Sequence, residues 1–460
     1  MIVSFADIIA YVAMIGLPEG AKRFLGKSFS QQKTEEAKVF VKGSLILLCI
    51  GILVCSAIVF IARNWVYDIF KIDLNSIIVA LLVIGSSSMY ILLNSIVISS
   101  FKTKVLPKIT IISSAARIAL ATTLVLMGGG AIGLTLGYTV FGQLLGSILL
   151  GIVIIKLFRS SSSFGVSTKK PEVSLTSASK KILIASAASW IPLLVPTIGS
   201  DLGTLVLFGS QGSNEAGVYF ITFTIYTGIL SVTYSLIAIG LPALSGMDDG
   251  RKRFTWQIIR LSAVISVPLS VTLIFYSKQI MQLIGQDYSQ GSLSLQVLLI
   301  SMLPMSVING IDTLVFSYGS YRQSLAIGLA MNIPRAVLYF MLVPIYGSTG
   351  AATSYTAGSL VGFIASILIA KRIKMLVHWK SLAFILIIPT GLGFALSRFE
   401  INYIVSIVTS IIASYLLLLK LQIITKSDVK DSIGILPYQI SNPTNRLLNR
   451  LDKGLSRFYR

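Results

Sequence analysis

A chain of 460 residues that is 54% hydrophobic and only 12% charged, with a mean hydropathy of +0.85, cannot clothe a water-facing surface, because average soluble domains carry about a quarter charged residues. Lys and Arg number 38 against 17 Asp and Glu, a net +21. The cations fall between apolar runs, so a membrane accounts for them and a nucleic-acid partner does not. A single histidine, His378, excludes a His-built metal centre, and no G-x-x-x-x-G-K-S/T phosphate loop marks direct use of ATP.

In chain order, mainly apolar runs cover 1–20, 39–62, 77–100, 108–128, 131–157, 182–208, 216–244, 256–277, 291–318, 324–344, 349–371, 380–397 and 402–422. Each meets the roughly 20 residues that a helical span needs. Runs such as Ser44–Ile61 are apolar all round, whereas buried helices of a soluble bundle keep a polar face. The expectation is an all-α integral membrane protein of thirteen spans. Cys49 and Cys55, six residues apart, point to different faces of one helix and read as small buried side chains.

Orientation follows from the loops. One alternate set, with the C-terminal tail, holds 32 Lys and Arg, and the other holds four: Arg63, Lys71, Lys278 and Arg398. The basic loops and the C-terminus are therefore expected in the cytoplasm of a multi-pass protein of the plasma membrane. The outer loops are short, Gly128-Gly129-Gly130 being almost the whole of one, and none holds a catalytic domain.

An internal repeat runs through this pattern. Asn94, Lys104 and Arg117 recur 218 residues on as Asp312, Arg322 and Arg335; Gly133 and Tyr138 recur at 217 as Gly350 and Tyr355; Gly16-Leu17-Pro18 recurs at 224 as Gly240-Leu241-Pro242. The copies share one orientation, the parallel type of transporter repeat, whose substrate site lies between halves near the midplane. The divisions expected are a first bundle over 1–158, a flexible Ser/Thr-rich link over 159–181, a second bundle over 182–372, two further spans over 380–422 and a basic tail over 423–460. The second copy opens with a span, 182–208, that has no counterpart in the first, so an intact architecture of 6+6+2 with one more N-terminal helix is expected.

Gly16-Leu17-Pro18-Glu19-Gly20-Ala21-Lys22-Arg23, the stretch Asp201 to Tyr219 and the paired Gly133…Tyr138 and Gly350…Tyr355 together resemble the polysaccharide (O-antigen-type) flippases of the multidrug/oligosaccharidyl-lipid/polysaccharide (MOP) exporter superfamily. The resemblance spans almost the whole chain and rests on the order of its motifs. It implies a MATE-like fold of two pseudo-symmetric bundles plus two C-terminal helices. It also implies a transporter, not an enzyme, that carries a polyprenyl- or dolichyl-linked glycan outward and needs no cofactor.

Charges inside spans are expensive and usually face a cavity. Arg117 and Arg335 lie near the midplane of equivalent spans, Arg335 just after Pro334. Guanidinium binds phosphate oxygens bidentately, so the pair is a candidate for a lipid phosphate or pyrophosphate; the alternative is that each arginine only ties helices together. Asp201 and Asp312, with Asn94 opposite Asp312 in the repeat, are candidates for a coupling cation (H+ or Na+) or for pairing with an arginine. Lys22, Arg23, Lys27, Arg251, Lys252 and Arg253 are expected at the cytoplasmic mouth, steering an anionic head group or contacting membrane lipids. From Asn445 to Arg460, Leu447, Leu448, Leu451, Leu455 and Phe458 share one face of an amphipathic helix expected on the cytoplasmic leaflet. Other readings are a cation-coupled multidrug exporter, disfavoured by arginines where an acidic cavity is needed, a glycan polymerase or ligase, disfavoured by the short outer loops, and a pore-free scaffold.

Overall fold

A computed structural model describes residues 2–30, 33–70, 73–100, 105–162, 174–246, 249–399, 402–421 and 423. The expected tail helix, Lys102, Lys104 and the centre of the expected link lie outside the described residues, as do the side chains of Arg23, Lys27, Leu241 and Pro242. Every regular element among the described residues is helical. The helices are α1 (Ile2–Met14), α2 (Leu17–Ser30), α3 (Thr34–Ile61), α4 (Arg63–Phe70), α5 (Leu74–Ser99), α6 (Leu106–Leu124), α7 (Gly130–Thr135), α8 (Gly142–Ser162), α9 (Leu175–Gln211), α10 (Ser213–Gly246), α11 (Arg251–Phe275), α12 (Ser277–Ile284), α13 (Ser292–Ile300), α14 (Met302–Ser317), α15 (Tyr321–Arg372), α16 (Trp379–Ser397) and α17 (Tyr403–Lys420).

Among the described residues nine helical stretches are long and apolar enough to cross a membrane, or eleven when two bent pairs each count as one span. Two of the nine, 54 and 52 residues long, would measure roughly 80 Å at 1.5 Å per residue, far beyond a hydrocarbon core of about 30 Å. Each folds back at glycine. The first breaks at Gly128 (φ 87°) and Gly130 (φ 51°, ψ −140°), the second at Gly347 (φ 54°, ψ −134°). Counted as hairpins they bring the total to thirteen. Gly130 and Gly347 are 217 residues apart, and their matching dihedrals carry the repeat into the backbone. Large apolar side chains stand exposed along the helices, Ile61 at 82% and Leu126 at 81% among them, as a lipid-facing surface requires.

Two compact units divide the chain. The first holds Met1–Ala216 and Ala336–Gly347, the second Gly217–Arg335 and Ser348–Arg460. In the first unit α9, the span placed by sequence at the head of the second bundle, packs on α1, α2 and α3. Small residues allow this approach, as they commonly do between membrane helices. A Cβ on Gly16 would lie 2.5 Å from the Ser186 carbonyl oxygen, one on Gly20 would overlap Ser186 Oγ, and one on Gly43 would lie 3.0 Å from Ser179 Oγ. The expected flexible link is also shorter than 159–181. Helix α8 persists to Ser162, and α9 starts at Leu175, where the Ser174 side chain caps the amide of Ser177.

In the second unit α17 presents the buried row Ser406, Ser410 and Ser414, one per turn. It docks on α11, with Thr272 Oγ1 and Ser410 Oγ 3.1 Å apart and the Tyr415 hydroxyl donating to the Ile265 carbonyl. In each unit an eight-residue helix, α4 or α12, follows a long span directly.

Gly347→Val should lower the detergent melting temperature by several degrees. The dihedrals there are open essentially to glycine, at a cost of about 1–3 kcal/mol, and a Cβ would also sit 2.8 Å from Glu215 Oε2. Gly151→Ala, in mid-helix with open space around it, should leave the melt unchanged or raise it; equal losses in the two variants would contradict the assignment of strain to Gly347.

Candidate functional site

The first span is bent. Helices α1 and α2 meet at 47° through Ile15 (φ 48°) and Gly16 (φ 70°), and Pro18 is tolerated because it lies in the first turn of α2. The amide of Ile15 turns back to the Val12 carbonyl, so the Tyr11 carbonyl loses its helical donor. The indole of Trp190 on α9 donates to it at 3.2 Å, which satisfies a backbone group that lipid could not. Beside the bend a cavity of about 230 Å³ is lined by Tyr11, Glu19, Lys22, Asn94, Ser95 and Trp190, among others. Lys22 Nζ stands 2.5 Å from Glu19 Oε1, and Glu19 in the first turn of α2 suits the positive end of the helix. Of the residues singled out by sequence, the structure brings Asn94 and Lys22 together here.

Arg117 lies elsewhere in the same unit. It is eleven residues into α6, about 16 Å at helical rise, and hence at mid-depth. Its stem crosses Gly142, where a Cβ would overlap Arg117 Cγ. Its guanidinium carbon is 5.9 Å from the ring centres of both Tyr90 and Tyr138. No hydrogen bond or ion pair reaches the guanidinium among the described residues, and the side chain is only partly buried.

In the second unit Arg335 meets the equivalent tyrosine at closer range. Its guanidinium carbon is 3.8 Å from the Tyr355 ring centre. One terminal nitrogen donates to Asn332 Oδ1 and the other to Ser359 Oγ, both at 2.9 Å. The residue is 1% exposed. Here Gly358 makes the room, since a Cβ there would lie 2.7 Å from Arg335 Cβ. Each arginine thus stacks on the tyrosine of the following helix. In this conformation Arg335 ties helices together, whereas the head of Arg117 is free.

The acids have no arginine partner among the described residues. Asp201 on α9 takes a hydrogen bond from the Ser4 hydroxyl and neighbours Asp7 of α1. Asp312 on α14 is served by the Ser324 hydroxyl, and its Oδ1 is buried with no partner, as is Nδ2 of Asn309 one turn away. At the head of α11, Arg251 is half-buried, donates to the Ser317 carbonyl and covers the Tyr318 ring, while Lys252 and Arg253 are exposed. No group of three or more metal-ligating side chains occurs among the described residues. Sequence reasoning missed Tyr90, Trp190 and the arginine–tyrosine stacking. The signal for the stacking was there, since Arg117 and Tyr138 recur at nearly one offset.

No family model matches the chain, and no curated protein matches it. Among solved structures, the lipid II flippase MurJ in an inward closed conformation aligns with a TM-score of 0.61 at 16% identity, covering 91% of this chain and 96% of that one. The Vibrio cholerae MATE transporter VcmN, in a mutant form, aligns at 0.61 and 14% identity over 80% and 86% of the two chains. A multidrug resistance MATE transporter in its inward-facing conformation aligns at 0.60 and 15% identity over 81% and 88%.

Tyr355→Leu should cost about 2 kcal/mol or more, as expected for a desolvated cation–π pair, and Tyr355→Phe less, because the ring is kept. Thermal denaturation of the two variants checks this, and equal losses would refute the stacking. At identities this low such matches speak for architecture alone, and the architecture is clear: the chain has the all-helical membrane fold shared by the MurJ and MATE members of the MOP superfamily.

Proposed function

We propose that the chain is a transporter that moves a lipid-linked glycan, carried on a polyprenyl or dolichyl phosphate or pyrophosphate, from the cytoplasmic to the outer leaflet by alternating access. The observation that carries this reading is Arg117: a guanidinium at mid-span, stacked between two tyrosines, with no anion or acceptor of its own. A charge in that place is costly enough to imply work, and a phosphate group is the partner whose oxygens fit its planar fork. The lipid II flippase alignment adds support. It covers 91% of this chain, where the MATE alignments cover about 80%.

The membrane potential favours this direction. Two negative charges moving outward across an inside-negative 100 mV gain roughly 4–5 kcal/mol, so a coupling cation, H+ or Na+, need not be the sole drive. The excess of Lys and Arg in alternate loops supports a C-terminus in the cytoplasm, and outward passage of the glycan would place the chain in the plasma membrane.

A second reading, cation-coupled export of drugs, draws on Asp201 beside Asp7 and on the bare oxygen of Asp312.

Proteoliposomes separate the two. The purified chain should flip a fluorescent polyprenyl-pyrophosphoryl oligosaccharide faster than protein-free vesicles and should not drive efflux of a cationic dye. Arg117→Gln should slow flipping about tenfold or more, the loss expected of a charge-assisted contact, with an unchanged melt. Undiminished flipping in that variant, or dye efflux without glycan movement, would overturn the proposal.

A further inference from the structure

The two halves are out of step by a shrinking interval. Arg117 and Arg335 are 218 residues apart, Gly130 and Gly347 are 217 apart, as are Tyr138 and Tyr355, and the glycines that seat the arginines, Gly142 and Gly358, are 216 apart. The first half therefore holds one extra residue before its turn and one between its tyrosine and its glycine. The first falls at the turn, where Gly128 and Gly130 take positive φ; the second falls on the π-helical segment Leu136–Phe141, and a π-bulge is what a single inserted residue produces in an α-helix. The second half reads Tyr355-Thr356-Ala357-Gly358 and the first Tyr138-Thr139-Val140-Phe141-Gly142.

The extra residue changes what the tyrosine does. In the second half an unbulged helix brings the ring to 3.8 Å from its guanidinium, and Asn332 and Ser359 complete a sealed pocket. In the first half the bulge leaves Tyr138 half exposed and 5.9 Å away. The position equivalent to Asn332 is Ser114, which makes no hydrogen bond to Arg117. The Tyr90 ring centre also lies 5.9 Å from the guanidinium carbon, so two rings adjoin the guanidinium while its donors carry no hydrogen bond among the described residues.

We infer that the Leu136–Phe141 bulge turns one of two equivalent structural arginines into a binding site, and that Arg117, framed by Tyr90 and Tyr138, takes the phosphate or pyrophosphate of the substrate while Arg335 does not. The inference rests on the proposed function for the source of that phosphate but not for the asymmetry itself. The guanidinium is planar by resonance; its Nε is buried without a partner, and its terminal donors remain for oxygen. Arg335 has already committed both terminal nitrogens.

The test is binding of a sugar-free polyprenyl pyrophosphate to the purified full chain in detergent, measured by thermophoresis beside thermal melting. Deleting Phe141, which restores the spacing of the second half, should weaken binding about tenfold or more, to the level of Arg117→Gln, while the protein still melts cooperatively. Phe141→Ala, which keeps the bulge, and Arg335→Lys should bind like the parent. A folded deletion variant that binds like the parent would overturn the inference, as would equal losses in Arg335→Lys and Arg117→Lys; that second comparison decides the matter if the deletion does not fold. Arg117-dependent binding in a chain that flips no glycan would sink the transport reading and leave this inference standing.

Discussion

A guanidinium in the middle of an apolar span cannot be left to hydrocarbon, and much of the arrangement described above follows from housing two of them. Insertion scales put the cost at about 2.5–3.5 kcal/mol each. Both halves meet it with the same parts: a tight turn at a positive-φ glycine brings the next helix back alongside, a glycine on that helix clears space for the arginine stem, and a tyrosine offers its π face. Remove the glycines and the hairpins cannot close on the arginines; remove the arginines and the tyrosines stack on nothing charged. The repeat is thus preserved where the charge must be housed, and it diverges in how tightly the ring is applied.

Helix packing in the first unit obeys a second constraint, that backbone groups find partners inside the protein. The bend at Ile15 and Gly16 breaks the helical ladder beside a polar cavity, and Trp190 takes up the orphaned carbonyl. The same close approach of α9 depends on Gly16, Gly20 and Gly43 carrying no side chain. Cavity, bend and tryptophan form one structure.

The spans were legible in the sequence because a helix that crosses hydrocarbon needs a long apolar run, and all thirteen runs correspond to helices. The repeat was legible because polar residues stand out in apolar runs. The partner of α9 was not, since a face packed on protein and a face packed on lipid are equally apolar; only the spacing of Gly16 and Gly20 marked it. Asn94 and Lys22 were picked for charge and pseudo-symmetry, and the cavity gathers both, yet Trp190, which caps the bend, reads as one more apolar residue. The bulge is subtler still. Hydrophobic periodicity cannot show a shift from i+4 to i+5 bonding, although the offsets of 218 and 217 already held one of the two insertions.

The bond between Trp190 and Tyr11 also has a history in time, because 179 residues separate the two. At roughly 5–20 residues per second, translation leaves the Tyr11 carbonyl without its donor for about ten to forty seconds. During that interval the nascent α1–α2 span has its polar backbone notch open, to be closed only when a much later segment leaves the ribosome. Maturation of the bend between α1 and α2 is thereby tied to the synthesis of α9.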